Sequence, residues 1–165
     1  MNLLRISKHL LTPLWYARRA FSGPTLKRIE TVIKQSEDLH RGEIRFALEG
    51  ALELIPLIKG ATARSRAILV FSDLRVWDTQ ENTGVLVYLQ LVDHDFEIVA
   101  DRGISARVAQ DEWEVICKRM EAAFRDGRFE AGVIAGLQDI TALLTRHFPG
   151  RADNPDELSN KPVVL

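Results

Sequence analysis

The sequence predicts one α/β domain in which helices cover a short sheet. Residues 85–89 form an almost continuous apolar run, which is typical of a strand that is buried on both faces. Residues 43–49 alternate between apolar and mostly charged side chains, which indicates a strand with one strongly apolar face. The segments before and after these strands have apolar residues at the three- to four-residue spacing of a helix. A chain of 165 residues with 46% hydrophobic composition is long enough to bury a single core.

The composition argues against a nucleic acid as partner. The chain carries 22 basic and 23 acidic residues, whereas nucleic-acid-binding surfaces concentrate Lys and Arg. Cys117 is the single cysteine, which excludes an intramolecular disulfide and a cysteine-based zinc cluster. The longest apolar runs have less than half of the ~20 residues that a membrane-spanning helix needs, and a cleaved secretory signal is not expected. We therefore expect a cytoplasmic protein that is at most peripheral at a membrane.

Residues 1–23 are predicted to form a basic amphipathic segment. Its apolar side chains recur at helical spacing and are Leu3, Leu4, Leu10, Leu11, Leu14 and Trp15. Residues 1–28 contain six Lys and Arg residues and no acidic residue. Two interpretations stay open: weak contact with an anionic lipid surface or an acidic partner, and an ordinary helix packed on the core.

Residues 24–148 are predicted to contain the sheet and its main helices. Pro24 marks the first turn of a helix, and the strand at residues 43–49 follows near a sheet edge. A crossover helix over residues 62–74 makes the central strand at residues 84–92 parallel to the first strand.

The second half of the chain is predicted to complete the sheet and to add two helices. A polar turn at residues 93–95 indicates a hairpin that leads into an antiparallel strand at residues 96–101. The helices are expected at residues 111–124 and 129–148. Residues 149–165 contain three prolines and are predicted to form an extended tail whose last residues dock on the domain.

The predicted strand directions bring polar side chains to one rim of the sheet, because the first two strands begin where the third ends. The residues expected there are Glu43, Asp78, Glu81, Asn82, Asp101 and Arg102. Carboxylate and carboxamide oxygens suit Ca²⁺ or Mg²⁺, with Asp78 and Asp101 as the main candidate ligands. Arg102 suits an anionic ligand. A rim of structural salt bridges is the alternative interpretation.

A second candidate metal site is the hairpin turn. Asp93 and Asp95 flank this turn closely enough to share a hard cation, although turn chemistry alone also explains both residues. The chain lacks the common nucleotide-binding, zinc-protease, C-x-x-C and G-x-S-x-G motifs, and its four histidines show no ligand spacing. Cys117 lies beside apolar residues of a predicted helix, where packing explains it. No catalytic residue is identified.

Short motifs along residues 30–148 follow the pattern of a known family. They comprise Gly42–Ile44, Asn82–Leu86 and Glu97–Ile98 together with Phe71, Leu74, Asp93, Gly103, Met120, Phe124, Gly127, Phe129 and Gly132. This pattern resembles the TPM domain family, and the short ending resembles a bacterial type without a transmembrane tail. The resemblance implies a three-layer α/β/α sandwich around a short mixed sheet, Rossmann-like but without the dinucleotide motif.

The same resemblance implies a function near membranes. Family members have been linked to repair or quality control of membrane complexes, to receptor accessory roles and, in a plant branch, to acid phosphatase activity with divalent-cation binding. The leading hypothesis is an accessory or interaction domain that has an unidentified protein partner. The domain itself can bind Ca²⁺ or Mg²⁺ in this hypothesis. The alternative is a metal-assisted acid phosphatase-like hydrolase. Residues 101–106 lack two glycines and the acidic position of the G-Y-G-L-E-G loop found in many relatives, which favours the accessory role.

Overall fold

The computed structural model describes residues 3–13 and 15–165, so Leu14 of the predicted N-terminal stripe lies outside the described residues. In this part of the chain the helices are α1 Leu3–Leu11, α2 Trp15–Ala20, α3 Gly23–Glu37, α4 Leu54–Ile58, α5 Ala63–Asp73, α6 Arg102–Ser105, α7 Gln110–Arg125 and α8 Phe129–His147. The strands are β1 Glu43–Glu49, β2 Gly84–Gln90, β3 Asp95–Ala100 and β4 Val163–Val164.

Local side-chain chemistry explains where the helices begin and end. Ser22 caps α3, because its hydroxyl oxygen accepts a hydrogen bond from the Thr25 N–H at 3.4 Å. Thr62 and Ser65 cap the start of α5 reciprocally, with N–H to hydroxyl distances of 3.0 and 3.1 Å. Gly127 separates α7 from α8 at a φ of 74°, a conformation that glycine adopts without strain.

The sheet is mixed and has the strand order β3-β2-β1-β4. β1 is parallel to β2, with Glu43 opposite Gly84, and β2 is antiparallel to β3, with Val85 opposite Ala100. These pairings match the crossover and the hairpin that the sequence predicts. They also place the starts of β1 and β2 next to the end of β3.

Helices cover both faces of the sheet. One face packs against α3, α7 and α8, and its core includes Ile44, Phe46 and Val87. The other face packs against α5 around Ala67 and Tyr88. This arrangement confirms the predicted α/β sandwich. None of the helices in residues 3–13 and 15–165 combines the length and the apolar character that would let it cross a bilayer.

The position of β1 differs from the sequence prediction. The alternating charges of β1 predict a strand near the sheet edge, but β1 lies between β2 and β4. Val163 and Val164 of the tail pair with Ala47 and Leu48 of β1, and all seven residues of β1 are buried. The tail thus covers the edge that a three-stranded sheet would expose. A two-residue strand has no periodic pattern in the sequence, which is why the prediction missed it.

Candidate functional site

The structure brings three of the predicted rim residues together. Arg102 Nε donates a hydrogen bond to Asn82 Oδ1 at 2.9 Å. Asp101 Oδ1 accepts the Arg102 N–H at 2.7 Å and thereby caps the short helix α6. Asp101 therefore has a structural role at the point where the chain leaves β3.

The other rim residues lie in separate contacts. Glu81 forms ion pairs with Arg41 and, at 2.8 Å, with Arg151. Asp78 is exposed, and within the described residues no side-chain hydrogen bond joins it to the rest of the rim. Glu43 is 1% exposed and contacts the C-terminal tail. Cation binding by Asp78 and Asp101 stays a prediction.

The hairpin turn holds the N-terminal helix. Asp93 Oδ2 accepts hydrogen bonds from Arg5 Nε at 2.9 Å and from His9 Nε2 at 3.1 Å. His9 is 2% exposed, and its Nδ1 accepts the Leu52 N–H at 2.9 Å. Because Nδ1 is an acceptor, the neutral ring carries its proton on Nε2 and donates it to Asp93. Asp93 thus anchors α1 in the described structure.

Asp95, the second acid of the turn, borders a groove lined by acidic and basic side chains. Burial raises the pKa of Asp95 to about 6, and the nearby carboxylates of Glu97, Glu121 and Asp93 act in the same direction. The groove has a volume of about 620 Å³ and runs between β3 and α7. Arg64 crosses it and donates to the Ile98 carbonyl at 2.8 Å. This groove carries mixed charge rather than a set of convergent ligands.

Helix α1 is oriented with its polar side toward the domain. Arg5 and His9 face inward, whereas the large apolar side chains of α1 and the start of α2 face outward. Their exposed fractions are 68% for Leu3, 80% for Leu4, 57% for Leu10, 82% for Leu11 and 56% for Trp15. Helix α4 packs beside α1 and adds three more exposed apolar side chains, Leu54, Ile55 and Ile58.

Basic side chains surround this apolar surface. Lys8 is exposed on α1, Arg18 and Arg19 are exposed on α2, and Lys59 is exposed in the turn after α4. Arg19 lies 5.9 Å from the centre of the Trp15 ring, within the range of a cation–π contact. We name the surface formed by the exposed residues of α1, α2 and α4 the N-terminal face.

A second polar assembly lies where α3, β1 and the tail meet. Glu37 Oε1 accepts the Ile44 N–H at 2.8 Å. Glu43 Oε2 accepts two tail N–H groups, those of Glu157 at 3.2 Å and Leu158 at 3.0 Å. Carboxylate oxygens of Glu37, Glu43 and Asp156 all lie within 4.8 Å of one another. We name these three residues the tail cluster.

Burial dominates the electrostatics of the tail cluster. It raises the pKa of Glu37 to about 9, with further increases from Glu43 and Asp156, whereas the Ile44 N–H opposes the rise. Burial also raises the pKa of Glu43 to about 7, and the Leu158 and Glu157 N–H groups oppose this shift. Both groups therefore sit in surroundings that disfavour an unneutralised negative charge.

Sequence reasoning found only Glu43 of this cluster. Glu37 and Asp156 were not among the predicted site residues, because their contact depends on the path of a tail without regular structure. One signal was available: β1 carries Glu43, Arg45 and Glu49 on its less apolar face, and a buried strand must provide a partner for each. In the structure Glu49 pairs with Arg66 at 2.7 Å, and the Arg45 guanidinium donates to the Ser159 carbonyl.

Comparison with known families decides the classification. The sequence model of the TPM domain matches residues 17–143, which is most of the chain. The chain belongs to the TPM domain family. The matched range of this TPM domain includes Glu37 and Glu43, whereas α1 and the tail lie outside it.

A solved structure agrees with this assignment. The NMR structure of BA42 protein from the psychrophilic bacteria Bizionia argentinensis matches with a TM-score of 0.77 and 30% sequence identity. The match covers 88% of this chain and 95% of that chain. A search of the curated proteins found no match. The comparisons thus establish the TPM fold of this domain.

Proposed function

We propose that this TPM domain is an accessory domain that attaches to an anionic membrane surface through its N-terminal face. The observation that carries the proposal is the orientation of α1, whose Arg5 and His9 face the domain while its leucines face outward. A helix that serves only to complete a core has the opposite orientation. This favours the interfacial interpretation of the segment over the ordinary core helix.

Charge complementarity supports a lipid surface as the occupant of this face. Residues 1–28 contain no acidic residue, and Lys8, Arg18 and Arg19 are exposed at the edges of the apolar stripe. Apolar side chains that enter the interface and basic side chains that contact anionic headgroups are the usual components of reversible membrane attachment. Burial of one Leu side chain contributes roughly 1.5–3 kcal/mol, so a few leucines suffice for weak binding.

Attachment of this kind fits an accessory role. A domain held at the bilayer by one face leaves the groove between β3 and α7 and the C-terminal tail available to a membrane-protein partner. Members of the TPM family have been linked to repair or quality control of membrane complexes, which supports the same conclusion. The proposal concerns a peripheral domain that recruits or assists such a partner and requires no catalytic step.

The test is flotation of the full-length protein with vesicles of phosphatidylcholine alone and with vesicles that also contain the anionic lipid phosphatidylglycerol. We expect binding to the anionic vesicles that weakens as salt rises, because salt screens the basic side chains. The double variant Leu4→Ser/Leu11→Ser should bind about a hundredfold less, since each lost Leu removes more than 1.4 kcal/mol and each 1.4 kcal/mol is tenfold in affinity.

A matched control separates lipid binding from general loss of apolar surface. Val115 is 49% exposed on α7, away from the N-terminal face, so Val115→Ser should bind like the parent protein. Light scattering in the absence of vesicles measures the molecular mass in solution. It tests whether a second copy of the chain, and not a lipid surface, covers the N-terminal face. Equal binding of the parent and the double variant, or a dimer that only the double variant loses, would overturn the proposal.

A further inference from the structure

The two edges of the sheet differ in what lies next to them. At one edge, Val163 and Val164 of the tail pair with β1 as an added strand. At the other edge β3 pairs with β2, and in residues 3–13 and 15–165 no further strand lies beyond it. We propose that the β3 edge binds an extended, basic segment of a protein partner, which adds to the sheet as a further strand. This binding is independent of the proposed membrane attachment, because β3 and the N-terminal face share no residue.

The backbone of β3 offers groups for such a strand. The Asp101 N–H donates to the Gly84 carbonyl at 2.9 Å, and the antiparallel register continues from this pair along the hairpin. Neighbouring residues of a strand point their backbone groups to opposite sides, so those of Phe96, Ile98 and Ala100 point away from β2. The described part of the chain provides no hydrogen-bond partner for the N–H and the carbonyl of Phe96, which lines the groove between β3 and α7.

Arg64 shows which chemistry this edge accepts. Its guanidinium reaches over from α5, donates to the Ile98 carbonyl at 2.8 Å and lies 3.4 Å from the Glu97 carboxylate. A basic side chain of a peptide would meet the same combination of strand carbonyl and carboxylate further along β3. A strand that extends to Ile98 would replace this guanidinium with its own backbone N–H.

The charge of the groove favours a basic occupant. The lining carboxylates are Asp95, Glu97, Glu114 and Glu121, and the lining basic side chains are Arg64 and Lys118. Arg64 pairs with Glu97, and within the described residues the other three carboxylates form no ion pair. Burial and the neighbouring carboxylates raise the pKa of Asp95 to about 6. Lys or Arg side chains of a bound peptide would relieve this repulsion.

The same charges disfavour other occupants. A second copy of the chain that paired through β3 would bring these carboxylates against their own counterparts, and like charges that face each other across an interface are costly. Nucleic acids and anionic lipids would meet the same repulsion. A basic protein segment in an extended conformation fits both the backbone and the charge of this edge.

The test is fluorescence anisotropy of the full-length protein with a labelled peptide in which valine alternates with lysine and arginine. We expect saturable binding, because main-chain hydrogen bonds and ion pairs act together. Hydrogen exchange should slow at the Phe96 amide when the peptide is bound. The amides of Glu97 and Val99 already point toward β2 and should change little. Absence of saturable binding, or unchanged exchange at Phe96, would overturn the proposal.

Two control peptides separate the backbone from the charge. A peptide with glutamate in place of every lysine and arginine should not bind. A basic peptide that is N-methylated at alternate residues loses the N–H groups that pair with β3, so it should bind about tenfold more weakly or less. Equal binding of the methylated peptide would indicate charge attraction without an added strand and would contradict the proposal, as would binding of the glutamate peptide.

Two double variants locate the site. Asp95→Asn/Glu121→Gln removes two charges of the groove and keeps the shape of both side chains, so it should bind the basic peptide about tenfold more weakly or less. Asp73→Asn/Asp78→Asn removes two charges at exposed positions outside the groove and should bind like the parent. Equal binding by the groove variant, or an equal loss in both variants, would reject the β3 edge as the site. A dimer that the peptide dissociates would assign the edge to a second copy instead.

Discussion

The two ends of the chain attach to the domain by polar contacts, but in opposite ways. At the N-terminus, one acid on the domain, Asp93, holds two basic groups of a helix, and the apolar side of that helix is left outside. At the C-terminus, acids on the domain hold the backbone of an extended segment, and the charges are buried inside.

The two ends therefore differ in which chemical groups they leave at the surface and which they bury. The N-terminal attachment satisfies the polar groups of Arg5 and His9 and leaves apolar area exposed, which is the surface proposed above to enter a membrane interface. The C-terminal attachment covers the sheet edge and buries the carboxylates of Glu37 and Glu43, whose pKa values burial raises. At both ends, a polar contact anchors the chain to the domain. This contact leaves an apolar surface outside at the N-terminus and buried carboxylates inside at the C-terminus.

The largest effect is expected at the C-terminal anchor. Glu43→Ala removes the acceptor of the Glu157 and Leu158 N–H groups and leaves them without a partner. Each unpaired N–H costs about 1–3 kcal/mol, so the free energy of unfolding should fall by roughly 2–6 kcal/mol. Urea unfolding of the parent protein and the variant measures this fall.

Glu43→Gln is the matched control, because its side-chain oxygen can still accept both N–H groups. It should unfold close to the parent protein. If Glu43→Ala and Glu43→Gln have equal stability, the tail is held by the β4 pairing alone. The Glu43 carboxylate would then not be an anchor of the C-terminus.

A smaller effect is expected at the N-terminal anchor. Asp93→Ala leaves the buried Nε2–H of His9 without its acceptor and removes an ion-pair partner of Arg5. We expect α1 to be less firmly held by about 1–3 kcal/mol, while β2 and β3 are unaffected. Hydrogen exchange of the backbone amides of residues 5–11 measures this directly.

Two substitutions sharpen the interpretation of that experiment. Asp93→Asn keeps an oxygen that can accept from His9 and should protect α1 better than Asp93→Ala. Leu11→Ser removes an outward-facing side chain and should leave exchange in α1 unchanged. If Leu11→Ser loosens α1 as much as Asp93→Ala does, the apolar side and not the polar side holds the helix.

Local patterns explain what could be predicted from the sequence. The buried strand at residues 85–89, the hairpin turn near Asp93 and the paired C-terminal helices depend on neighbouring residues, and the structure has them at almost the predicted bounds. The position of Asn82 next to Arg102 followed from strand direction alone. These features needed no knowledge of the tail.

Contacts between distant segments explain what was missed. His9 meets Asp93 across 84 positions, and Glu157 meets Glu43 across 114 positions, with no periodic pattern to mark either pair. The orientation of α1 is a further case, because its apolar stripe fits a core helix and an interfacial helix equally well. Only the partner of His9 decides which side faces the domain.

The smallest effect concerns the hydrolase alternative, for which we expect no saturable turnover of p-nitrophenyl phosphate with Mg²⁺ or Ca²⁺. Asp101 caps α6 and Arg102 contacts Asn82, so these rim residues already have structural partners. Burial raises the pKa of the Cys117 thiol to about 12, which leaves little thiolate near neutral pH. The assay compares the parent with Asp101→Asn and Glu37→Gln. Turnover that saturates with substrate and disappears in either variant would assign a catalytic role to that acid. The acid in question would then belong to an active site and would not serve only as a structural contact.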